Sequence, residues 1–540
     1  MCGIWASLHA NFDEATVGAC LAALLPRGPE YQTSMSPHPR VQLGFTRLAI
    51  NGLTNAGHQP FEHDDVVIVC NGEIYNYRQL ATTYGIQLTE GSSDCEVLAP
   101  LWRALEGEPT TFFRALDGVF AMLVLDRRAG KLWVGRDPYG VRPLFQASYE
   151  SETGEGELSG IVWSSELKGV PNIASVKSVQ PFRPGTWREF CLEGAVCLRE
   201  SRYHGVPWVK QPTLDPVAAL RDGLVAAVEK RLLSDRPVGA LLSGGLDSSL
   251  VAAIAARRMA ALGQQLHTFS IGMPGSTDLV FARQVAEHIG SAHHEILLTK
   301  ADFLGAVEAV VATIESYDIT TVRASVGNWL VGRWIRENTD IKVVLNGDGS
   351  DEVGGGYLYF FNAPHDAAFE GEVERLLADI HMFDVLRSDR CISAHGLEPR
   401  TPFLDKQFVA TWLGVPTALR RPGGGRVEKQ VLREAFAGTG LLPDSVLWRK
   451  KEAFSDGVSS ADESWYVTVG RHAAEAEANG NGADTLSHVW NPPTTPEGRW
   501  YRRLFEARYG GMAARCIPYM WMPRWTNATD PSARVLKELY

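Results

Sequence analysis

No run of about 18 apolar residues occurs in this 540-residue chain, so no membrane-spanning helix is expected. The start lacks a basic segment followed by an apolar stretch, which predicts no secretory signal. Cysteine is sparse and scattered: Cys2, Cys20, Cys70, Cys95, Cys191, Cys197, Cys391 and Cys516 form no CxxC pair and no His/Cys set at zinc spacing. Reduced thiols in the cytoplasm are the expectation, and the sequon Asn527-Ala528-Thr529 then has no glycosylation to receive. Basic charge is in deficit, with a net charge of −11 spread along the chain, which argues against a nucleic-acid partner. There is no repeat of solenoid length, and no Gly-Lys-Ser/Thr ending of a Walker A loop.

What is present is ample apolar material, 45% of residues, enough for two large domains. Residues 1–200 alternate short apolar runs (41–50, 66–70, 119–125) with breaks at Asn71-Gly72 and Asp137-Pro138, which predicts a β-rich layered domain. Residues 201–216, rich in proline and aromatics, read as a linker. From 217 to 540 the texture changes. Helical patterns at 218–233, 250–259 and 281–289 alternate with strand patterns at 237–242, 266–272 and 340–345, which predicts a doubly wound parallel sheet. Residues 473–498, with Asn-Gly and Pro-Pro pairs, read as a surface excursion.

Chemistry gathers in two places. Removal of Met1 would leave Cys2 with a free α-amine beside its thiol, so one residue supplies nucleophile and base. Arg47 suits a carboxylate; Asn71 and Gly72 make a plausible oxyanion hole; Glu73 and Asp94 suit an amine. Each alone is as well read as a turn residue, a solvated charge or a small core residue. In this order, with Arg27-Gly28-Pro29 and Gly135-Arg136-Asp137-Pro138-Tyr139-Gly140, they resemble the class II glutamine amidotransferases over about residues 1–200. The resemblance implies an α/β/β/α N-terminal-nucleophile sandwich in which Cys2 attacks the glutamine carboxamide. Arg47 would hold the α-carboxylate and Glu73 with Asp94 the α-ammonium, Asn71 and Gly72 would hold the oxyanion, and Leu48, Ala49, Ile50 and Asn51 would complete the glutamine pocket.

The second place is Ser243-Gly244-Gly245-Leu246-Asp247-Ser248-Ser249, between a strand and a helix. Its glycines admit phosphate oxygens to the backbone and the helix start favours anions. Asp247 would repel bare phosphate but suits Mg²⁺. A second turn, Gly347-Asp348-Gly349-Ser350-Asp351-Glu352, offers Asp351 as another metal ligand. The first turn resembles the pyrophosphate loop of ATP-pyrophosphatases. The pairing of the two halves resembles the glutamine-hydrolysing asparagine synthetases. That match runs on through Phe269-Ser270-Ile271-Gly272, Thr321-Val322-Arg323, Arg400-Thr401-Pro402-Phe403, the segment from Lys451 to Gly457 and residues 527–534.

That resemblance implies nucleoside contacts at Leu241, Ile271, Asn346 and Gly347, pyrophosphate contacts at Ser243, Gly244, Gly245 and Ser248, and Lys451 neutralising charge as aspartate attacks ATP. Arg323 and Arg387 are candidates for a substrate carboxylate or phosphate, or for structural ion pairs. ATP, Mg²⁺, glutamine and aspartate are the expected cofactor and small-molecule partners; the oligomeric state, a homodimer included, is left open. Two positions depart from the family: Asp348 stands where Glu is usual, and Ser388-Asp389-Arg390 follows Arg387 where Ala-Asn-Lys is common. A relative adenylating a different carboxylate, a phosphoribosylamine-forming amidotransferase, and a regulatory homologue with weakened synthesis are the competing readings. Cys2 opposes the first and the Ser243–Ser249 turn the second, while Asp348 favours the third.

Overall fold

The computed structural model describes the chain apart from residues 151–157, 207–209, 453, 461–463, 482–485, 487–488 and 532–540. Parts of the expected linker and excursion, and positions 453 and 532–534 of the matching segments, lie outside the described residues.

Among the described residues the N-terminal part has twelve strands: β1 (Gly3–Leu8), β2 (Tyr31–His38), β3 (Val41–Arg47), β4 (Phe61–His63), β5 (Val66–Ile74), β6 (Gly118–Asp126), β7 (Lys131–Arg136), β8 (Phe145–Glu150), β9 (Leu158–Ser164), β10 (Ser178–Pro181), β11 (Thr186–Cys191) and β12 (Cys197–Arg202). They form two antiparallel six-stranded sheets, ordered β10-β8-β9-β1-β3-β2 and β12-β11-β7-β6-β5-β4. The alternation of side chains sorts the layers. Ile4, Ala6 and Leu8 face Val67, Val69, Ala121 and Leu123 in the core between the sheets. Trp5 points the other way, onto Val17, Leu21 and Leu24 of the helix Glu14–Leu24. Val66, Ile68 and Cys70 point outward from the second sheet, onto the helices Leu98–Ala104 and Pro109–Ala115. Both faces of these strands are covered, which is why they read as continuous apolar runs. The layers are helix, sheet, sheet, helix, as expected.

Asn71-Gly72 is not a break. β5 runs through it to Ile74, with Asn71 opposite Ala121 and Gly72 opposite Phe120. Nine residues of pairing with β6 override the local turn preference of Asn-Gly. A side chain at Gly72 would stand 2.5 Å from the Val119 carbonyl, so glycine is needed for the close approach. The Asp137 break is real. Its carboxylate accepts from the N–H groups of Tyr139, Val141 and Arg142 at 2.9–3.1 Å and closes a turn that aims Arg142 at the other half of the molecule.

The C-terminal part holds β13 (Val238–Leu241), β14 (His267–Gly272), β15 (Ala292–Leu297), β16 (Val343–Leu345) and β17 (Glu398–Arg400), all parallel, ordered β15-β14-β13-β16-β17. The chain moves outward from β13 to β15 and then returns to the other side at β16. The reversal lies between β13 and β16, where ligands of such sheets bind at the carboxyl ends of the strands. The helices Pro216–Lys230 and Leu246–Ala260 pack on one face and Lys300–Ile314 and Ile319–Asn338 on the other, with Leu345 facing the first set and Val344 the second.

Two expected boundaries move. β12 extends to Arg202, and Tyr203 is buried with its hydroxyl donating to the Arg136 carbonyl at 2.7 Å, so the chain past 200 is still part of the sandwich. The expected excursion 473–498 is partly helical: Trp465–Ala476 and the turn Glu477–Asn481 enter it, and Pro496–Ala513 begins inside it behind the capping Thr495. Glu497, buried, is bound by Arg323.

The halves share buried ions. Arg27 donates to Glu166 at 2.6 Å and to Asp389 at 2.7 Å. Arg390 pairs with Glu315, whose carboxylate also accepts from the N–H groups of Leu167 and Lys168 at 2.8 and 2.9 Å. Arg400 of β17 reaches Glu73 at 3.3 Å.

Candidate active sites

In the N-terminal site the Cys2 thiol lies 3.8 Å from the Leu48 carbonyl. Arg27 donates to the Cys2 carbonyl at 3.0 Å. Desolvation pushes the thiol up to about 11, and pushes the buried α-amine of Met1 down to about 6. A thiol so placed is protonated at neutral pH and needs a base, and an α-amine in this environment is a free base at neutral pH. Arg47 is held by the carbonyls of Thr54 (2.7 Å) and Gly52. Leu48, Ala49, Ile50 and Asn51 line up after it, all buried, with Asn51 donating to Glu73.

Asn71 is fully buried and, among the described residues, neither atom of its amide has a hydrogen-bond partner. Such a group costs about 1–3 kcal/mol unless something else satisfies it, and a substrate oxygen would. Burial, and then the charge of Asp94, hold Glu73 well above the usual carboxylate range. Burial pushes Asp94 up to about 6, although it accepts from Ile74 N–H at 2.6 Å. Two adjacent carboxylates under this pressure form a site for a cation. Glu398, on β17 of the other half, faces the Cys2 thiol, Glu73 and Asp94 alike.

The second site is a cavity at the switch point of the parallel sheet. It is lined by Leu241, Ser243, Gly245, Asp247, Ser248, Ile271, Asn346, Gly347, Asp348, Asp351, Arg387 and Lys451, most of the residues expected there. Gly244 is not in the lining. It sits at φ +72°, where a side chain would stand 2.4 Å from the Ala282 N–H nitrogen, and so it shapes the turn. Ser243 and Ser248 join hydroxyls at 3.0 Å across the turn. Arg387 donates to Asp348 at 2.7 Å and pairs with Asp384 at 3.3 Å.

Arg323 stands apart from the cavity. Glu497 and Asp530 occupy both ends of its guanidinium at 2.5–2.8 Å, so it is a structural ion pair and is not placed to meet substrate.

Asp247 and Asp351 both converge on Lys429, whose ammonium lies 2.7 and 2.8 Å from them, and Lys451 pairs with Asp351 as well. A cation between two carboxylates is the arrangement a divalent ion with oxygen ligands would take over, so the donor set fits Mg²⁺. Lys429 was not among the expected residues. It stands in no motif, and its backbone is left-handed (φ +52°) where the side chain enters the cavity.

Comparison with known proteins gives the same division. A glutamine amidotransferase domain model matches residues 1–183, and an asparagine synthase model matches residues 219–372 and 363–510. Asparagine synthetases [glutamine-hydrolyzing] of Bos taurus, Gallus gallus and Homo sapiens are each 40% identical to this chain, covering 99% of it and 98–99% of their own length. The chain belongs to the glutamine-hydrolysing asparagine synthetase family. Within this family member the two sites lie in the two matched regions, Cys2 to Asp94 in one and Leu241 to Lys451 in the other.

The pressure on Asp94 gives a prediction. Its native value of about 6 lies above the unperturbed 3.8, so the native state binds the proton more tightly than the unfolded chain. Stability therefore falls as pH rises from about 3.8 to about 6 and stays lower above that. The difference is on the order of 3 kcal/mol at neutral pH. Asp94→Asn should raise Tm above pH 6, with the gain vanishing near pH 4, while the KM for glutamine rises at least about tenfold. Thermal unfolding across pH, together with glutaminase kinetics, checks both halves of this trade.

Proposed function

We propose that this chain makes asparagine from aspartate, ATP and the amide nitrogen of glutamine, through a β-aspartyl-AMP intermediate, releasing glutamate, AMP and pyrophosphate. The observation that carries the reading is the buried amide of Asn71, without a hydrogen-bond partner among the described residues, set beside Glu73 and Asp94, which burial holds above the usual carboxylate range even with Arg400 3.3 Å from Glu73. An amino acid with an α-ammonium and a carboxamide completes both.

With Met1 removed, the α-amine of Cys2 takes the thiol proton as sulfur attacks the glutamine carboxamide. Arg47 orients the α-carboxylate, and Glu73 and Asp94 hold the α-ammonium. Asn71 and the Gly72 N–H receive the oxyanion. Ammonia leaves with the proton, and water cleaves the thioester to glutamate.

At the second site Leu241, Ile271, Asn346 and Gly347 hold the nucleoside, and Ser243, Gly245 and Ser248 hold the pyrophosphate, with Gly244 fixing their turn. Asp247 and Asp351 would hold Mg²⁺, which screens the triphosphate when bound. Lys451 offsets charge as the aspartate carboxylate displaces pyrophosphate from the α-phosphorus, and Arg387 is left as the arginine facing a substrate anion. Ammonia then displaces AMP. The chain works with small molecules and has the composition of a cytoplasmic enzyme. The proposed division is a glutaminase from residue 2 to about 203, a connection from there to 216, and a synthetase at 217–540. Among the described residues no helix is long and apolar enough to cross a membrane.

Cys2→Ala should abolish glutamine-dependent synthesis and leave ammonia-dependent synthesis within about twofold, since free ammonia bypasses the first site. Equal loss with both nitrogen donors would contradict the division.

Asp348 lines the second cavity one methylene short of the family glutamate, with Arg387 on its carboxylate. Asp348→Ala should lower synthesis by roughly 10²–10⁴, and Asp348→Glu should hold or raise it. Asparagine and pyrophosphate measured together decide the matter: near wild-type yields of both from Asp348→Ala would assign the residue to the shape of the turn.

A further inference from the structure

The helix Asp384–Ser393 touches both sites. Near its start Arg387 binds Asp348, and Ser388 accepts from Asn346 at 2.6 Å, so this stretch belongs to the nucleotide cavity. One residue on, Asp389 turns to the other half of the molecule. Its carboxylate accepts from Arg27 at 2.7 Å and 3.3 Å, a two-oxygen contact between side chains that are 1% and 2% exposed. Ser393, one turn further, accepts from the same guanidinium at 2.9 Å. The remaining nitrogen of Arg27, Nε, donates to the Cys2 carbonyl at 3.0 Å. The chain of contacts is therefore unbroken from the nucleophile's own backbone, through Arg27 and Asp389, to a helix whose other side chains hold Asp348 and Asn346.

We propose that Asp389 is a positioning residue for Cys2: its carboxylate fixes the Arg27 guanidinium that in turn holds the Cys2 carbonyl, and it does so from the helix that lines the nucleotide cavity. The inference rests on Cys2 being the glutaminase nucleophile. An asparagine in its place could meet Arg27 with one oxygen only, without charge. Here the contact is bidentate and ionic, the geometry in which a guanidinium is held most firmly in plane. Glu166 alone would not fix it, because that carboxylate is shared: Lys168 lies 2.6 Å from it and Arg390 3.7 Å. Arg142, 3.7 Å from Asp389, adds a second cation that the same carboxylate offsets.

A purely structural role and a positioning role separate in the pH profile. The charged groups facing the N-terminal amine as it stands on Met1 are Glu398 of β17, Arg142 of the Asp137 turn, Arg27 and the Cys2 thiol, and the Cys2 α-amine exposed by removal of Met1 is one residue along the chain from it. Asp389→Asn removes the charge opposing Arg27 and Arg142 without changing shape. The α-amine is then harder to protonate, and the acid limb of glutaminase kcat/KM should move to lower pH. Looser hold on Arg27 should lower glutaminase kcat about tenfold with the KM for glutamine within about twofold, because Arg47, Glu73 and Asp94 are untouched.

The experiment compares wild type, Asp389→Asn and Asp389→Glu, full chain, in glutaminase pH profiles and in ammonia-dependent synthesis. Ammonia-dependent synthesis retained in each preparation shows that it is folded. Asp389→Glu keeps the charge and should recover most of kcat and the original acid limb. An Asp389→Asn enzyme with wild-type kcat and an unmoved pH profile overturns the proposal, as does equal loss in the Asn and Glu variants with the acid limb unmoved in both. Cys2→Ala, run alongside, distinguishes the underlying reading: glutaminase surviving in that variant refutes Cys2 as nucleophile, whatever Asp389 does.

Discussion

The molecule depends on a buried ionic seam between its halves. Arg27, Arg142 and Arg390 meet Glu166, Glu315 and Asp389 almost entirely out of water. Each charge would cost several kcal/mol to bury alone, so the partners are held in place by the penalty of parting. Apolar surface could join the halves as strongly. It could not dictate, to a few tenths of an ångström, where an arginine meets the Cys2 carbonyl or where Arg400 meets Glu73. Specific placement is what a charged contact adds, and both sites are built on residues of the seam or next to it.

The first site stores polarity that its own fold leaves uncompensated, and the second holds its charges in pairs that a substrate must exchange. Among the described residues, Asn71 has an amide with nothing to bind, and Glu73 and Asp94 crowd one another. In the second cavity Asp247 and Asp351 are balanced by Lys429 and Lys451. Substrates of matching charge relieve these costs on arrival, so part of the stability given up on folding returns as binding and orientation. The stabilising effect predicted for neutralising Asp94 is the same exchange seen from the other side.

The layers, the order of the two halves and the turns at Asp137 and Ser243–Ser249 were legible in the sequence. Strands buried on both faces leave continuous apolar runs, and strand–turn–helix units mark the carboxyl ends of a parallel sheet. The strand–turn–helix form of the Ser243–Ser249 segment is a short-range feature and was legible too. What was not legible was decided at long range. Asn71-Gly72 has the local chemistry of a turn and is held straight by β6. Arg323 has the chemistry of a substrate contact and is claimed by Glu497, in a stretch whose Asn-Gly and Pro-Pro pairs read as a loop. Lys429 enters the cavity through one left-handed backbone position that no nearby residue announces. Asp389 stood out only as a departure from the family, and its meaning appears once Arg27, 362 residues away in the chain, lies against it.

The central claim is that the nitrogen freed at Cys2 is the nitrogen used beside Asp348, in one body held together by that seam. The most direct test supplies glutamine labelled with ¹⁵N in the side-chain amide, with ATP, Mg²⁺ and aspartate, in a buffer containing unlabelled ammonium at a low, non-saturating level. The account predicts asparagine carrying ¹⁵N in close proportion to the glutamate formed. Glutamate accumulating while the asparagine carries only the isotope ratio of the bulk ammonium would contradict it.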